Sequence, residues 1–200
     1  MIKLIGIGPG DPRYLTEINK KEIIKAEKVF AYRRVKETFK NIRDDIYLIE
    51  STKTLMEKLE DEKDAAILIS GDPSFYGLLE YFKRNFKGDF EVFPGISSVS
   101  YLFSKLKLSF QDFTLLSGHG RQLDFENLDP KASFAFLTDK ENNANSISEA
   151  LDENGFTGTI FAGFDLSYKE EKIFKYRTGE KISLPSSLSV VVFINEFKGQ

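Results

Sequence analysis

The sequence of 200 residues contains no cysteine, and His119 is its only histidine. The lack of cysteine excludes disulfides and thiol nucleophiles, and one histidine cannot build a cage of Cys and His ligands around a metal ion. No loop shows the carboxylate spacing of a calcium site. We therefore expect no metal held by protein side chains, and any serine–histidine catalysis would have to use His119.

Long hydrophobic runs and an excess of basic charge are also missing. No run approaches the roughly 18 uninterrupted apolar residues that span a membrane. The start, MIKLIG, reaches a glycine too soon for a signal peptide. The formal net charge of −3 argues against a broad surface for nucleic acid. We therefore expect a soluble cytoplasmic protein that binds neither a membrane nor nucleic acid.

The first half of the sequence alternates between short apolar runs and helical patterns. The apolar runs predict strands over residues 3–7, 29–31, 46–49, 65–69 and 90–93. The run at 65–69 (AAILI) shows no alternation, which is typical of a parallel strand covered on both faces. Because helical segments separate these strands, the pattern predicts a parallel sheet with right-handed crossovers.

Three helices are predicted in this half. The first is capped by Thr16 and runs to about Lys25. The second starts at Asp72, with Pro73 in its first turn. Its apolar face consists of Phe75, Leu78, Leu79, Phe82 and Phe86. The third follows residues 94–95, and its inward side consists of Val99, Leu102, Phe103 and Leu106.

After about residue 108 the pattern contains more strands per helix. Strands are predicted over residues 113–116, 133–137, 159–163, 172–176 and 188–194. One helix lies among them and stops at Asn154-Gly155. Its inward residues are Ile147, Ala150 and Leu151. The change favours a second domain with a mixed sheet. We therefore predict an N-terminal α/β domain, residues 1–109, and a C-terminal α/β domain, residues 110–200.

Glycine-rich turns follow three predicted strands, at residues 6–12 (GIGPGDP), 70–73 (SGDP) and 94–98 (PGISS). Ligands of open α/β sheets bind beyond the carboxyl ends of the strands. The first turn differs from the G-x-G-x-x-G fingerprint of dinucleotide sites. Pro9 lacks an N–H for a phosphate and Asp11 adds a negative charge, so a ligand with few or no phosphates fits this turn better.

Each turn also has a purely structural explanation. Residues 6–12 can simply end a strand. Asp72 suits a hydrogen bond from a ribose hydroxyl and, equally well, a helix cap. Ser97 or Ser98 can cap the helix that follows. These alternatives stay open for each turn alone, while three such turns in one sheet favour a binding site.

In order and approximate spacing, these turns resemble the tetrapyrrole (corrin and porphyrin) methyltransferase family. The matching segments are residues 6–12 followed by Leu15-Thr16, residues 70–77 (SGDPSFYG) and residues 94–98. The resemblance implies a two-domain α/β fold, with a mainly parallel N-terminal sheet and a mixed C-terminal sheet. The methyl donor S-adenosyl-L-methionine would lie in the cleft between the domains. The implied donor contacts are Pro9, Gly71, Asp72, Phe75, Ser97, Ser98, Leu137, Thr138, Ala162 and Gly163.

Two further segments, residues 117–121 (SGHGR) and 164–173 (FDLSYKEEKI), are similar to one group of this family. The members of that group methylate C5 of cobalt-precorrin-7 in cobalamin biosynthesis, giving cobalt-precorrin-8. The similarity implies that activity, a tetrapyrrole substrate that carries any cobalt itself, and no protein-bound metal. It also implies a homodimer and, as a further partner, a companion C15-methylating decarboxylase.

The implied substrate is edged with carboxylates, which the planar guanidinium of arginine can pair bidentately. Arg121 and Arg34 are therefore candidate catalytic residues for substrate positioning, with His119 as a hydrogen-bond donor or proton shuttle. The alternatives are a solvated helix-start charge for Arg34 and an ordinary surface residue for His119. Tyr32 stands where some family members have an aspartate thought to act as a base, so no catalytic aspartate is assigned.

Two other functions stay open. Similar folds occur in a diphthamide-pathway methyltransferase and in a ribosomal RNA ribose methylase. The acidic balance argues against RNA, and residues 117–121 favour a tetrapyrrole over both. A nucleotide-binding module without chemistry is the other class, and it would bind a phosphate-bearing nucleotide more tightly than S-adenosylmethionine.

Overall fold

The computed structural model describes residues 1–186 and 189–196 of the chain. It contains two compact units, one formed by Met1–Ser98 and one that begins at Val99. The domain boundary after residue 109 stays a prediction. In the described part of the chain, no helix has the length and apolar character needed to cross a bilayer.

The first unit contains a five-stranded parallel sheet in the order β3-β2-β4-β1-β5. Its strands are β1 (Ile2–Gly6), β2 (Lys28–Ala31), β3 (Ile46–Leu48), β4 (Ala65–Ile69) and β5 (Phe90–Phe93). Its helices are α1 (Glu17–Lys25), α2 (Arg33–Phe39), α3 (Thr52–Leu59) and α4 (Leu79–Asn85), with a short 3-10 turn over Pro12–Tyr14. Because β1 pairs in parallel with both β4 and β5, the carboxyl ends of these three strands lie side by side.

Both faces of this sheet are buried. Leu4 and Ile67 belong to an apolar cluster on one face, and their neighbours Ile5 and Leu68 belong to a separate cluster on the other. This alternation follows from the two-residue period of a strand. Burial of each Leu or Ile side chain stabilises the folded state by about 1.5–3 kcal/mol. This gain explains why β4, which is covered on both faces, is an uninterrupted apolar run.

The second unit contains a mixed five-stranded sheet in the order β6-β7-β10-β8-β9. Its strands are β6 (Phe113–Ser117), β7 (Ser133–Leu137), β8 (Gly158–Phe164), β9 (Lys172–Arg177) and β10 (Ser189–Asn195). Helix α5 (Ser98–Leu106) precedes them, and α6 (Ala144–Glu153) packs on the sheet through Ile147 and Leu151. Only β6 and β7 pair in parallel, so the expected mixed sheet is confirmed.

The predicted strands are confirmed with small shifts of their ends. The strand predicted over residues 188–194 begins in the structure at Ser189, and Leu188 lies outside the described residues. The predicted cap of α1 is present, because Thr16 Oγ1 accepts the Asn19 N–H at 3.2 Å. The predicted end of α6 at Asn154 and Gly155 is also present, with Gly155 at a φ of +78°.

The predicted start of the second helix at Asp72 and Pro73 was wrong, since α4 begins at Leu79. The Phe75 N–H donates to the Asp72 carbonyl at 3.2 Å, which closes a turn and not a helix. Tyr76 then adopts a left-handed φ of +51°. That conformation cannot continue a right-handed helix, so residues 72–78 form an irregular loop.

Candidate functional site

The glycine-rich turns after β1 and β4 are hydrogen-bonded to each other. The Gly8 N–H donates to the Gly71 carbonyl at 3.3 Å, and the Gly71 N–H donates back to Gly8 at 2.8 Å. Both glycines have a left-handed φ, +81° at Gly8 and +71° at Gly71. The two turns therefore form one short bridge beyond the carboxyl ends of their strands.

The turn after β5 packs directly against this bridge. A Cβ atom built on Gly95 would lie 2.2 Å from the Gly71 carbonyl oxygen, and one built on Gly6 would lie 2.6 Å from the Gly95 nitrogen. Only glycine permits such an approach of three backbones. The structure thus brings the three predicted turns together at one edge of the sheet.

Asp72 ties the β4 turn to the β5 turn. Its Oδ1 accepts the Ser74 N–H at 2.7 Å, and its Oδ2 accepts the Gly95 N–H at 3.1 Å. The helix-cap alternative is therefore excluded, because these bonds lie in the loop before α4. Each carboxylate oxygen can still accept a further hydrogen bond, so the predicted contact with a ribose hydroxyl stays a prediction.

Asn19 ties the β1 turn to the β5 turn, and sequence reasoning missed it. This fully buried side chain of α1 donates from Nδ2 to the Gly6 carbonyl at 2.7 Å and to the Pro94 carbonyl at 2.8 Å. Its Oδ1 is buried without a hydrogen-bond partner. The sequence contains one weak signal of this role, since Asn19 lies one helical turn before the buried Ile23.

The negative charge of the Asp11 carboxylate is balanced by the neighbouring Arg13. Its carboxylate pairs with the Arg13 guanidinium at 2.6 Å and accepts the Arg13 N–H at 2.8 Å. The hydrogen bond from Arg13 outweighs burial and holds the pKa of Asp11 below its usual range. The absent N–H of Pro9 is therefore the stronger of the two arguments against a bound phosphate.

The other candidate residues of the first unit are half-buried. They are Pro9, Phe75, Ser97, Ser98 and Arg34. The Phe75 ring meets Tyr76 edge-on, with ring centroids 5.1 Å apart. Ser98 is the first residue of α5, and Arg34 lies in the first turn of α2, which follows β2. Tyr32 precedes that helix, and burial together with neighbouring Tyr81 raises its pKa, so its hydroxyl stays protonated at neutral pH.

In the second unit, residues 117–121 begin with the last residue of β6 and continue as a loop. The Gly118 N–H donates to the Leu137 carbonyl at 2.8 Å, which continues the pairing with β7. Ser117 is buried, whereas His119 and Arg121 are exposed. The structure therefore presents both candidate substrate residues to solvent on one short loop.

The remaining predicted donor contacts lie in strands of the second unit or, for Thr138, directly after β7. Thr138 is buried, and its hydroxyl donates to the Ser189 carbonyl at 2.8 Å. Ala162 and Gly163 lie within β8, which is paired with β10 on one side and β9 on the other. Their main-chain groups therefore take part in the hydrogen bonding of the sheet. Contacts with the methyl donor remain predictions for Leu137, Thr138, Ala162 and Gly163.

Gly163 has a packing role of its own. A Cβ atom at this position would lie 2.7 Å from Cδ2 of Leu166 and 3.0 Å from Cδ1 of Leu102. Any side chain would therefore displace α5 or the turn after β8. Among residues 1–186 and 189–196, no three His, Asp or Glu side chains are grouped as a metal site requires.

Comparison with known proteins identifies the family. The profile of Tetrapyrrole (Corrin/Porphyrin) Methylases matches residues 1–181. The chain is 34% identical over 189 residues to a probable cobalt-precorrin-7 C(5)-methyltransferase of Methanocaldococcus jannaschii, covering 86% of this chain and 87% of that protein.

Two solved structures share the fold. A precorrin-6Y methylase from Archaeoglobus fulgidus has a TM-score of 0.76 at 22% identity, covering 98% of this chain and 99% of that chain. A uroporphyrin-III C-methyl transferase from Thermus thermophilus, complexed with S-adenyl homocysteine, has a TM-score of 0.77 at 20% identity, covering 96% of each chain. With the turns at Gly8, Gly71 and Gly95 gathered at one sheet edge, the chain belongs to the tetrapyrrole methylase family.

Proposed function

We propose that this chain is an S-adenosylmethionine-dependent C-methyltransferase of cobalamin biosynthesis, which methylates C5 of cobalt-precorrin-7 to give cobalt-precorrin-8. The main support for the proposal is one observation. The three glycine-rich turns that resemble the family come together beyond the carboxyl ends of β1, β4 and β5. The similarity to the archaeal relative named for this reaction supports the choice of substrate.

The candidate donor residues of the first unit fit a cationic ligand without phosphates. They are Pro9, Gly71, Asp72, Phe75, Ser97 and Ser98, and none of them is basic. A Cβ atom on Gly71 would meet only the Ser97 Cα, at 3.7 Å, so this backbone can approach a ligand closely. The Asp72 carboxylate favours a positive charge nearby and disfavours a phosphate.

The chemistry requires alignment more than reactive side chains. S-Adenosylmethionine supplies an electrophilic methyl group on a sulfonium. The task of the protein is to hold donor and acceptor carbon in line, which can contribute several kcal/mol and up to roughly 7–11 in ideal cases. The ties made by Asn19 and Asp72 keep the three turns in a fixed arrangement, and this rigidity suits positioning.

For the acceptor, we propose that Arg121 and Arg34 pair with substrate carboxylates and that His119 donates a hydrogen bond or shuttles a proton. The exposed position of Arg121 on the loop after β6 supports this role. We further propose a cytoplasmic homodimer with a companion C15-methylating decarboxylase, as the family resemblance implies.

Incubation of the purified chain with S-adenosylmethionine and cobalt-precorrin-7, followed by mass spectrometry of the corrinoid, tests the proposed function. We expect a gain of one methyl group, and we expect Asp72→Ala or Arg121→Ala to reduce it strongly in folded protein. An unchanged corrinoid would reject this substrate in favour of another tetrapyrrole, a diphthamide precursor or a ribose.

A calorimetric titration separates the enzyme from a nucleotide-binding module without chemistry. We expect S-adenosylmethionine to bind and ATP, with three phosphates, to bind much more weakly, because the candidate donor residues offer no basic side chain. Tighter binding of ATP than of S-adenosylmethionine would favour the non-catalytic module.

A further inference from the structure

The loop at residues 117–121, here called the SGHGR loop, is held by two side chains from the segment after β7. Asp139 accepts the Gly120 N–H at 2.9 Å through Oδ2. Asn142 donates from Nδ2 to the Gly118 carbonyl at 2.8 Å and to the Arg121 carbonyl at 3.1 Å. Three of the five loop residues are thus fixed through their main chain.

Asp139 and Asn142 are also fixed to each other. Asp139 Oδ1 accepts the Asn142 N–H at 2.7 Å and the Glu141 N–H at 2.9 Å. The hydrogen bonds from Gly120 and Asn142 hold the pKa of Asp139 below its usual range, so the carboxylate is ionised at neutral pH. Hydrogen bonds to an ionised acceptor are stronger than neutral ones.

The loop glycines match this arrangement. A Cβ atom on Gly118 would lie 2.7 Å from Cβ of Asn142, so the loop lies tightly against that side chain. Gly120 has a φ of +62° with open space around it, so its conformation and not crowding calls for glycine. The result is an SGHGR loop with a fixed backbone and exposed His119 and Arg121 side chains.

These bonds are not needed to form the sheet. The pairing of β6 with β7 is complete from Phe113 to Ser117, and the contacts of Asp139 and Asn142 all reach beyond the strand end. Asp139 and Asn142 are themselves only half-buried. Their hydrogen bonds therefore act on the position of the loop more than on the core.

We propose that Asp139 and Asn142 are the positioning residues that set the place of His119 and Arg121 for the corrinoid substrate. The assignment rests on the proposed function, since it takes the SGHGR loop as the substrate loop. Asn142 acts through the backbone of Gly118 and Arg121, and Asp139 acts through the backbone of Gly120.

Steady-state kinetics of Asn142→Ala with cobalt-precorrin-7 and S-adenosylmethionine tests this assignment. We expect the KM for the corrinoid to rise about tenfold, which corresponds to about 1.4 kcal/mol, because the Gly118 and Arg121 carbonyls lose the hydrogen bonds that hold the loop. The KM for S-adenosylmethionine should change by less than about twofold. Asp139→Asn, which removes the charge, should shift the corrinoid KM in the same direction.

Two matched controls lie nearby. Asn127→Ala removes an asparagine whose side-chain amide donates to the Asp124 carboxylate at 2.7 Å. Glu141→Gln removes the charge of a residue that reaches Asp139 through its main-chain N–H, which the substitution keeps. Both controls should keep the unsubstituted KM values. In an Arg121→Ala background, Asn142→Ala should add less than about threefold, because residues acting as one unit are not additive.

The outcomes are distinguishable. Turnover by the unsubstituted chain together with an unchanged corrinoid KM in Asn142→Ala and Asp139→Asn would overturn the positioning role alone. Equal rises in the KM values for corrinoid and donor would also overturn it, because they indicate general loosening. Absence of turnover by the unsubstituted chain would overturn the proposed function and, with it, this assignment.

Discussion

A single buried amide joins two of the three turns at the candidate donor site. Asn19 satisfies the carbonyls of Gly6 and Pro94, which are far apart in sequence and adjacent at the sheet edge. Without the amide, both carbonyls would lose this hydrogen bond. Asn19 is therefore the residue through which α1 controls the spacing of the β1 and β5 turns.

We expect Asn19→Ala to lower the free energy of unfolding by about 2–4 kcal/mol, because the buried hydrogen bond to the Gly6 carbonyl and the part-buried one to the Pro94 carbonyl are both lost. Urea denaturation at constant pH measures the change. Asn85→Ala is the matched control, since Asn85 makes a single exposed bond to the Tyr81 carbonyl at 2.7 Å. Equal losses in the two variants would show that Asn19 has no special role.

The backbones of the three turns approach one another most closely at Gly95. A Cβ atom built on this residue would lie 2.2 Å from the Gly71 carbonyl oxygen. We expect Gly95→Ala to abolish detectable binding of S-adenosylmethionine in a calorimetric titration, because the β4 and β5 turns must separate. Gly155→Ala is the control, because Gly155 has open space around it and a φ of +78°. This substitution should lower the free energy of unfolding by about 1–2 kcal/mol and leave donor binding intact.

Donor affinity in a folded Gly95→Ala variant equal to that of the unsubstituted chain would contradict a donor site at the three turns. Circular dichroism of both glycine variants shows whether the chain has folded. A loss of binding in Gly155→Ala as well would point to general destabilisation and not to the turns.

Some residues of the site were predictable from sequence and others were not. Gly71 and Gly95 could be found because glycine after a parallel strand signals close backbone approach. Asn19, Asp139 and Asn142 could not, because each acts on main-chain groups far along the chain. A polar side chain in a short helix or turn gives no sequence signal of the backbone that it will contact.

At the level of elements, one carboxylate organises the turn between β8 and β9. Glu171 Oε2 accepts the Tyr101 hydroxyl and the Ser167 N–H, both at 2.6 Å, and Oε1 pairs with Lys105 at 3.0 Å. Asp165 and Ser167 have left-handed φ values of +46° and +71°. Glu171 holds the Ser167 backbone in this strained conformation and joins the turn to α5.

The charge of Glu171 makes this contact depend on pH. Burial raises its pKa, but the hydrogen bonds from Tyr101 and Ser167 and the ion pair with Lys105 outweigh burial and lower it overall. A lowered pKa in the folded state means that the stabilisation is present above the usual glutamate value of about 4.5. It is lost as the pH falls through the folded-state pKa.

We expect Glu171→Gln to be less stable than the unsubstituted chain at about pH 7, with a difference that shrinks below about pH 4.5. Urea unfolding across this range measures the difference. Glu170→Gln, which removes a neighbouring exposed charge, should show little change at any pH. A difference for Glu171→Gln that stays constant with pH would rule out the charged contact.

The elements show where local patterns suffice. The strands were predictable because buried parallel strands are apolar runs. The start of α4 was not, because Asp72 and Pro73 suit a helix start locally, whereas Asp72 Oδ2 is taken by the Gly95 N–H on another turn. Helices α2 and α3 have only 7 and 8 residues, too short for a clear periodic pattern.

For the whole chain, the ratio of strands to helices predicted the difference between the two sheets. It did not predict the strand order of the second sheet, in which β10 lies between β7 and β8. That order depends on pairing between segments far apart, such as Val191 with Phe136 and Ala162. The approach of the three glycine-rich turns likewise depends on the strand order of the first sheet, in which β4, β1 and β5 are neighbours.

The most direct measurement uses S-adenosylmethionine labelled with ¹³C in the methyl group. The purified chain is incubated with this donor and cobalt-precorrin-7, and ¹³C NMR of the corrinoid identifies the labelled carbon. We expect a single new methyl signal at C5 and a much weaker one when Arg121→Ala replaces the unsubstituted chain. A label on another ring carbon, or a corrinoid without label, would contradict the assignment of this chain as the C5-methyltransferase.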